Sequence, residues 1–130
     1  MPGHGPVLVV DDDPNILEVM QRLFESIGHG VVTAANGDEA MRRLQSGLVP
    51  CLIILDLDMP VKDGISFRRE QLADPILARF PVIILSSRHD VEQIAGSLQA
   101  AAYFTKSRDL DALLPLVADH CLREPPAPAE

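Results

Sequence analysis

The sequence predicts an α/β domain in which an open, doubly wound sheet of five parallel β-strands carries helices on both faces. Short apolar runs rich in valine, isoleucine and leucine recur along the chain, as expected for strands buried on both faces. Segments with helical periodicity alternate with these runs, which is typical of parallel strands joined by crossover helices. The length of 130 residues and the apolar fraction of 47% fit one packed domain. We assign it to residues 6–123, between a flexible start at residues 1–5 and a Pro/Ala-rich tail or linker stump at residues 124–130.

The first half of the chain predicts three strands and two helices. The opening strand, residues 6–10, leads into a helix for which Asp13 is the expected N-cap and Pro14 the first residue. Gly28 is expected to end this helix. The elements predicted after it are a strand, a short helix and a strand, at residues 30–35, 37–47 and 51–55.

The second half predicts two strands and three helices, of which two helices contain a residue that weakens them. Gly96 lies within the helix expected over residues 90–102. Pro115 lies within the last helix, residues 110–122, and should kink it or delay its start because proline lacks a backbone N–H. The other predicted elements are a helix, a strand and a short strand, at residues 65–73, 81–87 and 103–106.

Composition and charge exclude several classes of function. The formal net charge of −8 is unfavourable for direct nucleic-acid binding by this domain, which needs lysine and arginine against phosphates. No apolar run approaches the ~20 residues of a membrane-spanning helix, and the start of the chain has no signal-peptide pattern, so we expect a cytoplasmic location. Cys51 and Cys121 are spaced neither like a zinc site nor like a disulfide framework, and we interpret them as free thiols in a reducing cytosol.

Side chains that can bind metal or take part in a reaction follow four of the five predicted strands. In open parallel sheets, binding sites lie at the carboxyl ends of the strands, near the point where the strand order reverses. Carboxylates that are forced together repel each other, and Mg²⁺ relieves this repulsion through oxygen ligands. An aspartate can act as the nucleophile in phosphoryl transfer, while a hydroxyl and a lysine can hold phosphoryl oxygens. The residues at these ends are Asp11, Asp12 and Asp13 after the first strand, Asp56 and Asp58 after the third, Ser86 and Ser87 after the fourth, and Lys106 at the fifth.

Each of these residues alone has an ordinary explanation. Asp13 suits a helix cap, Ser86 suits a strand-to-helix turn, and Lys106 suits an exposed surface. Their joint occurrence at the ends of strands is what predicts a phosphoryl-transfer site.

Four segments together resemble the receiver domain of the two-component response regulators. The stretch D-x-D-M-P-x-x-D-G, from Asp56 to Gly64, is the most specific part, and the resemblance extends over residues 7–122. It implies a flavodoxin-like sheet with strand order 2-1-3-4-5, an order taken from the family, whose chemotaxis member is a known example of it. The segments are VLVVDDDPNIL (7–17), LIILDLDMPVKDG (52–64), VIILSS (82–87) and YFTK (103–106).

The resemblance implies a phosphoacceptor and a metal site. Asp56 would accept the phosphoryl group. Asp12 and Asp56 would bind Mg²⁺, or Mn²⁺ as the alternative ion, through their carboxylates, with Asp11 close by and holding the ion largely through water. The backbone carbonyl of Asp58 would complete the protein ligands.

The resemblance also implies residues that sense the phosphoryl group. Ser86 would move its hydroxyl toward it, and Lys106 would pair first with the acceptor carboxylate and then with the phosphate. Tyr103 occupies the aromatic position whose side chain turns inward on activation. Asp58 and Arg88 occupy variable positions that influence the lifetime of the phosphate.

A member of this family takes its phosphoryl group from a sensor histidine kinase or a histidine phosphotransfer protein. It catalyses its own phosphorylation and dephosphorylation, so it is not a turnover enzyme, and it signals to an output partner or to an effector domain elsewhere in the chain. Three departures from the family pattern concern the face between the fifth strand and the last helix, namely Ala102, Ser107 in place of the usual proline after the lysine, and Pro115. They leave the partner surface and dimerisation open.

Two alternatives to the phosphorylated receiver remain. A receiver fold can serve as a binding module without phosphorylation, and Ser107 is the only support for that hypothesis. A haloacid-dehalogenase-type phosphatase would use Asp56 as nucleophile and Asp58 as acid/base, since ILDLD resembles its motif. That motif normally lies near the N-terminus and is followed by threonine or valine, whereas here Met59-Pro60 follows.

Overall fold

The computed structural model describes residues 5–106 and 110–121, and strands and helices alternate along them as the sequence predicts. Ser107, residues 1–4 and residues 122–130 lie outside the described part, so the expectations for the loop after Lys106 and for both ends stay predictions. The strands are β1 (Val7–Val10), β2 (Val31–Ala34), β3 (Leu52–Leu55), β4 (Val82–Ser86) and β5 (Ala102–Thr105). The helices are α1 (Pro14–Glu25), α2 (Gly37–Gln45), α3 (Gly64–Leu72), α4 (Val91–Ser97) and α5 (Leu113–His120), with short 3₁₀ turns at Leu77–Arg79 and Leu110–Ala112.

The five strands form one parallel sheet in the order β2-β1-β3-β4-β5, which confirms the predicted topology. The strand order reverses between β1 and β3, where chain connections leave in opposite directions. Val10 lies opposite Leu55 at the carboxyl end of this pair. The residues that follow, Asp11 and Asp56, therefore come out side by side.

Helices cover both faces of the sheet, because successive residues of each buried strand point to opposite faces. One face carries α2, α3 and α4, which pack residues such as Met41, Phe67 and Val91 against the strands. The other face carries α1 and α5, which contribute Phe24 and Val117. This two-sided burial explains why β1, β3 and β4 are continuous apolar runs rather than alternating ones.

Side-chain caps fix where the helices begin. The Asp13 carboxylate accepts a hydrogen bond from the backbone N–H of Asn15 at 2.9 Å, and Pro14 is the first residue of α1, as predicted. Asp63 caps α3 in the same way by accepting from the N–H of Ser66 at 2.7 Å. The D-G step in the motif thus ends a loop and begins a helix.

The last two helices are shorter than predicted. Helix α4 ends at Ser97 instead of reaching residue 102, because Gln99 adopts a positive φ of 56° and Ala102 already belongs to β5. Helix α5 begins at Leu113 after the 3₁₀ turn. Pro115 is its third residue, where the missing N–H has no helical partner to lose. Of the two expected effects of Pro115, the delayed start is the one observed.

The prediction of two free thiols is wrong. Cys51 precedes β3 and Cys121 follows α5, and they form a disulfide with their Cα atoms 5.1 Å apart. They are separated by 70 residues, so only the packing of α5 on the sheet brings them together. Among the described residues, no helix has the length and apolar character needed to cross a bilayer.

Candidate functional site

Three carboxylates cluster at the carboxyl ends of β1 and β3. Oxygen atoms of Asp11, Asp12 and Asp56 all lie within 4.8 Å of one another. Asp11 and Asp56 are only 2% and 4% exposed, whereas Asp12 faces solvent. The sheet ladder continues one residue beyond the strands, since the N–H of Asp56 donates to the carbonyl of Val10 at 2.9 Å. The predicted acidic cluster is therefore positioned by backbone pairing.

Lys106 reaches into this cluster from the end of β5. Its Nζ lies 2.8 Å from Oδ2 of Asp11 and 3.4 Å from Oδ1 of Asp56. Its backbone N–H donates to the carbonyl of Ser86 at 3.0 Å, which holds Lys106 against the end of β4. One ammonium thus contacts two of the three carboxylates, and the cluster keeps an excess of negative charge.

Burial and this excess negative charge change the pKa of Asp56, the candidate phosphoacceptor. The pKa of Asp56 is raised from 3.8 to about 6, first because burial disfavours its charged form and second because Asp11 lies beside it. Lys106 opposes this rise but does not cancel it. Burial alone would lower the pKa of Lys106, yet its hydrogen bonds and charge interactions with the two carboxylates outweigh burial and raise it. A divalent cation would relieve the same repulsion, and carboxylate oxygens are the ligands that Mg²⁺ prefers.

Replacing Asp56 with asparagine should stabilise the metal-free protein at neutral pH. Because the folded-state pKa is raised to about 6, the ionised carboxylate opposes folding above that pH, and the penalty declines as pH falls from about 6 toward 4. We expect Asp56→Asn to raise the free energy of unfolding by about 2–3 kcal/mol at pH 7.5. Urea unfolding in the presence of a chelator, at pH 7.5 and pH 4, measures this. An equal gain at both pH values would assign the effect to packing instead of charge.

An ion-pair bridge crosses from the β3–α3 loop to the β4–α4 loop. Arg88 places Nη1 3.3 Å from Oδ1 of Asp58, and its Nε and Nη2 lie 3.0 and 3.1 Å from the two carboxylate oxygens of Asp90. Hydrogen bonds from Arg88 lower the pKa of Asp90. Asp90 was expected only at a helix start, and its spacing of two residues from Arg88 was the one available signal. We call this set the Asp58–Arg88–Asp90 bridge.

Ser86 and Tyr103 lie on adjacent strands but differ in exposure. Ser86 is fully buried at the end of β4, and its Oγ accepts a hydrogen bond from the backbone N–H of Arg88 at 3.1 Å. Tyr103 is 41% exposed on the edge strand β5. Desolvation, together with the nearby carboxylate of Glu92, raises its pKa. The serine hydroxyl is thus tied to the backbone of the bridge, while the tyrosine ring is turned outward.

The loop after Asp56 explains the rest of the sequence motif. The N–H of Gly64 donates to the carbonyl of Leu57 at 2.9 Å, so the start of α3 lies directly against the end of β3. A Cβ at Gly64 would come within 2.1 Å of the carbonyl oxygen of Asp56, so only glycine fits. Val61 has a positive φ of 69° and is 83% exposed, an unusual conformation for a β-branched residue. The loop is therefore shaped by close backbone approach next to the acidic cluster.

Comparison with known proteins identifies one family and several relatives. A family model described as the response regulator receiver domain matches residues 7–118. A gliding motility regulatory protein of Myxococcus xanthus is 40% identical over 96 residues, which make up 74% of this chain and 12% of that protein. Response regulator Rcp1 of Synechocystis is 32% identical over 121 residues, covering 85% of this chain and 82% of that one. The chain spans less than half the length of the first curated relatives, 12%, 41% and 28% of each.

Two solved structures resemble the fold closely and contain divalent metals. TrrA from Thermotoga maritima, in complex with Mg²⁺-BeF, is 31% identical, with a TM-score of 0.78 over 88% of this chain and 97% of that one. The Mn²⁺-bound form of Rcp1 is also 31% identical, with a TM-score of 0.74 over 88% and 90% of the two chains.

Proposed function

Because the chain belongs to the response regulator receiver family, we propose that Asp56 is the residue that accepts the phosphoryl group in this member. The chain is a phosphoacceptor signalling domain and not a turnover enzyme, so the phosphatase alternative is set aside. The observation that carries the proposal is the position of Asp56. It is buried, it lies within 4.8 Å of two other carboxylates, and its Oδ1 is 3.4 Å from the ammonium of Lys106.

The acidic cluster is a Mg²⁺ site, with Mn²⁺ as the alternative ion. Its donor set fits such an ion, because it offers three carboxylates against one nearby ammonium. We assign the direct carboxylate ligands to Asp12 and Asp56, with Asp11 acting largely through water and Asp58 through its backbone carbonyl. When bound, the cation neutralises charge that gathers on the phosphoryl oxygens during transfer.

The transfer itself requires one nucleophilic oxygen and a leaving group. A carboxylate oxygen of Asp56 forms a bond to phosphorus while the bond from phosphorus to the donor's leaving group breaks, and the leaving group departs with the electron pair. Lys106, whose Nζ already reaches Asp11 and Asp56, then pairs with a phosphoryl oxygen. Above a pH of about 6 the Asp56 carboxylate is ionised, which is the form that can attack phosphorus.

The phosphoryl group then shifts a two-state equilibrium. The Ser86 hydroxyl gives up its contact with the N–H of Arg88 and moves toward the new phosphoryl oxygens, and Tyr103 turns inward from its exposed position. The arrangement described above, with Ser86 bound to Arg88 and Tyr103 41% exposed, suits the state before transfer.

The phosphoryl donor is a sensor histidine kinase or a histidine phosphotransfer protein. The receiver domain comprises residues 6–123 and works in the cytoplasm. The output is a contact with a partner or an effector domain. We assign no dimer interface, and with the formal net charge of −8 the domain itself is not expected to contact nucleic acid.

Mass spectrometry of the intact protein after incubation with acetyl phosphate tests this function. We expect one added phosphoryl group when Mg²⁺ is present and none when a chelator replaces it. Continued phosphate release without an adduct would indicate acceptance followed by fast hydrolysis. Absence of both, in a folded protein that still binds Mg²⁺, would overturn the proposal and favour a receiver fold used only for binding.

The Asp58–Arg88–Asp90 bridge is proposed to protect the phosphoryl group from water. It joins the two loops beside Asp56, and both Asp58 and Arg88 stand at family positions that influence phosphate lifetime. We expect Arg88→Ala to shorten the half-life of the adduct by roughly 2- to 5-fold, the effect of losing one solvent-exposed ion pair. The decay of the adduct by mass, after removal of the donor, measures this. Arg69→Ala, a charge loss on the exposed surface of α3, is the control, and a longer half-life in Arg88→Ala would show that the bridge instead assists hydrolysis.

A further inference from the structure

The Cys51–Cys121 disulfide has no part in the chemistry proposed above. Cys51 immediately precedes β3, whereas Asp56 follows the other end of the same strand. The disulfide and the acidic cluster therefore lie at opposite ends of the strands. The sequence contains two cysteines in total, so any effect of a thiol reagent on this protein acts through this pair.

The disulfide attaches a helix that has few other anchors. Helix α5 is eight residues long. Leu113 and Val117 are its fully buried residues, and Leu114 and Leu116 are partly buried against the same core cluster. Pro115 lies between them, and Ala112 at the N-cap offers no side-chain hydrogen bond to the first turn. Elements with few buried contacts open locally at low free energy. No residue of α5 after Val117 is fully buried, so the covalent link at Cys121 is the main attachment of the far end of the helix.

We propose that Cys51 and Cys121 form a reversible oxidation site whose reduction releases the C-terminal end of α5 while the sheet stays folded. The reaction partner is a dithiol. Its thiolate attacks one sulfur and forms a mixed disulfide, and its second thiol then displaces the remaining cysteine. The dithiol is oxidised to a disulfide, and Cys51 and Cys121 receive two electrons and two protons in total.

One argument favours a reversible link over a permanent one, and the burial of the pair couples its reduction to the opening of α5. In a reducing compartment disulfides are rare, and those that occur are mostly transient or redox-sensing; this step rests on the cytoplasmic location proposed above. Both cysteines are also buried, at 3% and 2% exposure, so a reductant reaches them only when the end of α5 opens. The redox state of the pair and the attachment of α5 are therefore coupled in both directions.

Hydrogen exchange read by mass spectrometry, on the full chain before and after incubation with dithiothreitol, tests the proposal. We expect reduction to speed exchange in peptides covering α5 by at least about tenfold and to leave peptides of β1 and β3 unchanged. Unchanged α5 exchange would overturn the proposal, because packing alone would then hold the helix. Faster exchange throughout the chain would overturn it as well, because the link would then stabilise the whole fold.

Two variants test whether dithiothreitol acts through the disulfide and whether reduction depends on the opening of α5. Cys121→Ser should show fast α5 exchange with and without dithiothreitol, which controls for other effects of the reagent. Val117→Ala keeps both cysteines but removes a buried anchor of α5, so we expect its disulfide to be reduced several-fold faster than in the unmodified chain. Equal reduction rates would contradict the coupling between opening and reduction.

Phosphoryl acceptance provides an independent readout. Because the acidic cluster lies at the opposite ends of the strands, Cys121→Ser should still form the Mg²⁺-dependent adduct with acetyl phosphate. Failure of the proposed function would remove the adduct from every variant, whereas failure of the redox proposal would leave the adduct intact and the α5 exchange insensitive to reduction.

Discussion

Asp56→Asn is expected to abolish the phosphoryl adduct, with a decrease of at least about 100-fold in the rate of adduct formation from acetyl phosphate. The amide is a poor nucleophile, and the change also removes one negative charge from a cluster whose three carboxylates lie within 4.8 Å of one another. Mg²⁺ affinity should therefore fall along with reactivity. Mass spectrometry of the intact protein measures the adduct, and Mg²⁺ titration measures the metal site separately.

The matched control is Asp119→Asn, which makes the same chemical change on an exposed residue of α5. It should form the adduct like the unmodified chain. Since Asp56→Asn is also expected to be more stable at neutral pH, loss of its adduct would not reflect unfolding. A persistent adduct in Asp56→Asn would move the acceptor to another carboxylate, and mapping of the modified peptide would identify which one.

Much of this site could be predicted from sequence because its geometry follows from the sheet. Parallel strands bring their carboxyl ends to one edge, and neighbouring strands in register bring the next residues together. Asp11 and Asp56 meet for this reason, directly after the paired residues Val10 and Leu55. Caps and breakers are local signals as well, so Asp13 and Pro14 fixed the start of α1 from sequence alone.

Features that depend on packing between distant segments were missed. The pairing of Cys51 with Cys121 spans 70 residues and depends on how α5 settles on the sheet, which no spacing rule encodes. The link between Asp58 and Arg88 depends on the conformation of two loops, and only the shorter contact from Arg88 to Asp90 is local in sequence. The predicted end of α4 was wrong because Gln99 adopts a positive φ, which glutamine rarely does and which the sequence therefore does not indicate.

The raised pKa of Asp56 shows why the site is costly to the fold. The buried carboxylate lies close to Asp11 and Lys106, but burial disfavours its ionised form, which is the form required by the proposed phosphoryl transfer and metal binding. The Asp56 carboxylate stays buried despite this cost because β3 and α3 hold the residue in place through backbone contacts that do not depend on its charge. One of those contacts is the hydrogen bond from the N–H of Gly64 to the carbonyl of Leu57 at 2.9 Å.

Gly64→Ala is therefore expected to be among the most damaging single-methyl additions in the domain. The new Cβ would lie 2.1 Å from the carbonyl oxygen of Asp56 and 2.9 Å from the Cα of Leu57, and both are backbone atoms that cannot rotate away. Relieving the clash requires α3 to move off the end of β3. We expect a loss of about 3 kcal/mol in the free energy of unfolding, at the upper end of overpacking effects, measured by urea unfolding.

The same shift should impair chemistry in the molecules that remain folded. Displacing the backbone of Asp56 moves its carboxylate relative to Lys106, and a misplacement of about 1 Å can cost up to about 100-fold in rate. The control is Gly96→Ala in α4, where a new Cβ meets no atom within 4 Å and alanine is the better helix former, so that variant should be neutral or slightly more stable. If Gly64→Ala unfolded at the same urea concentration as Gly96→Ala, the close approach of α3 to β3 would not be what positions Asp56.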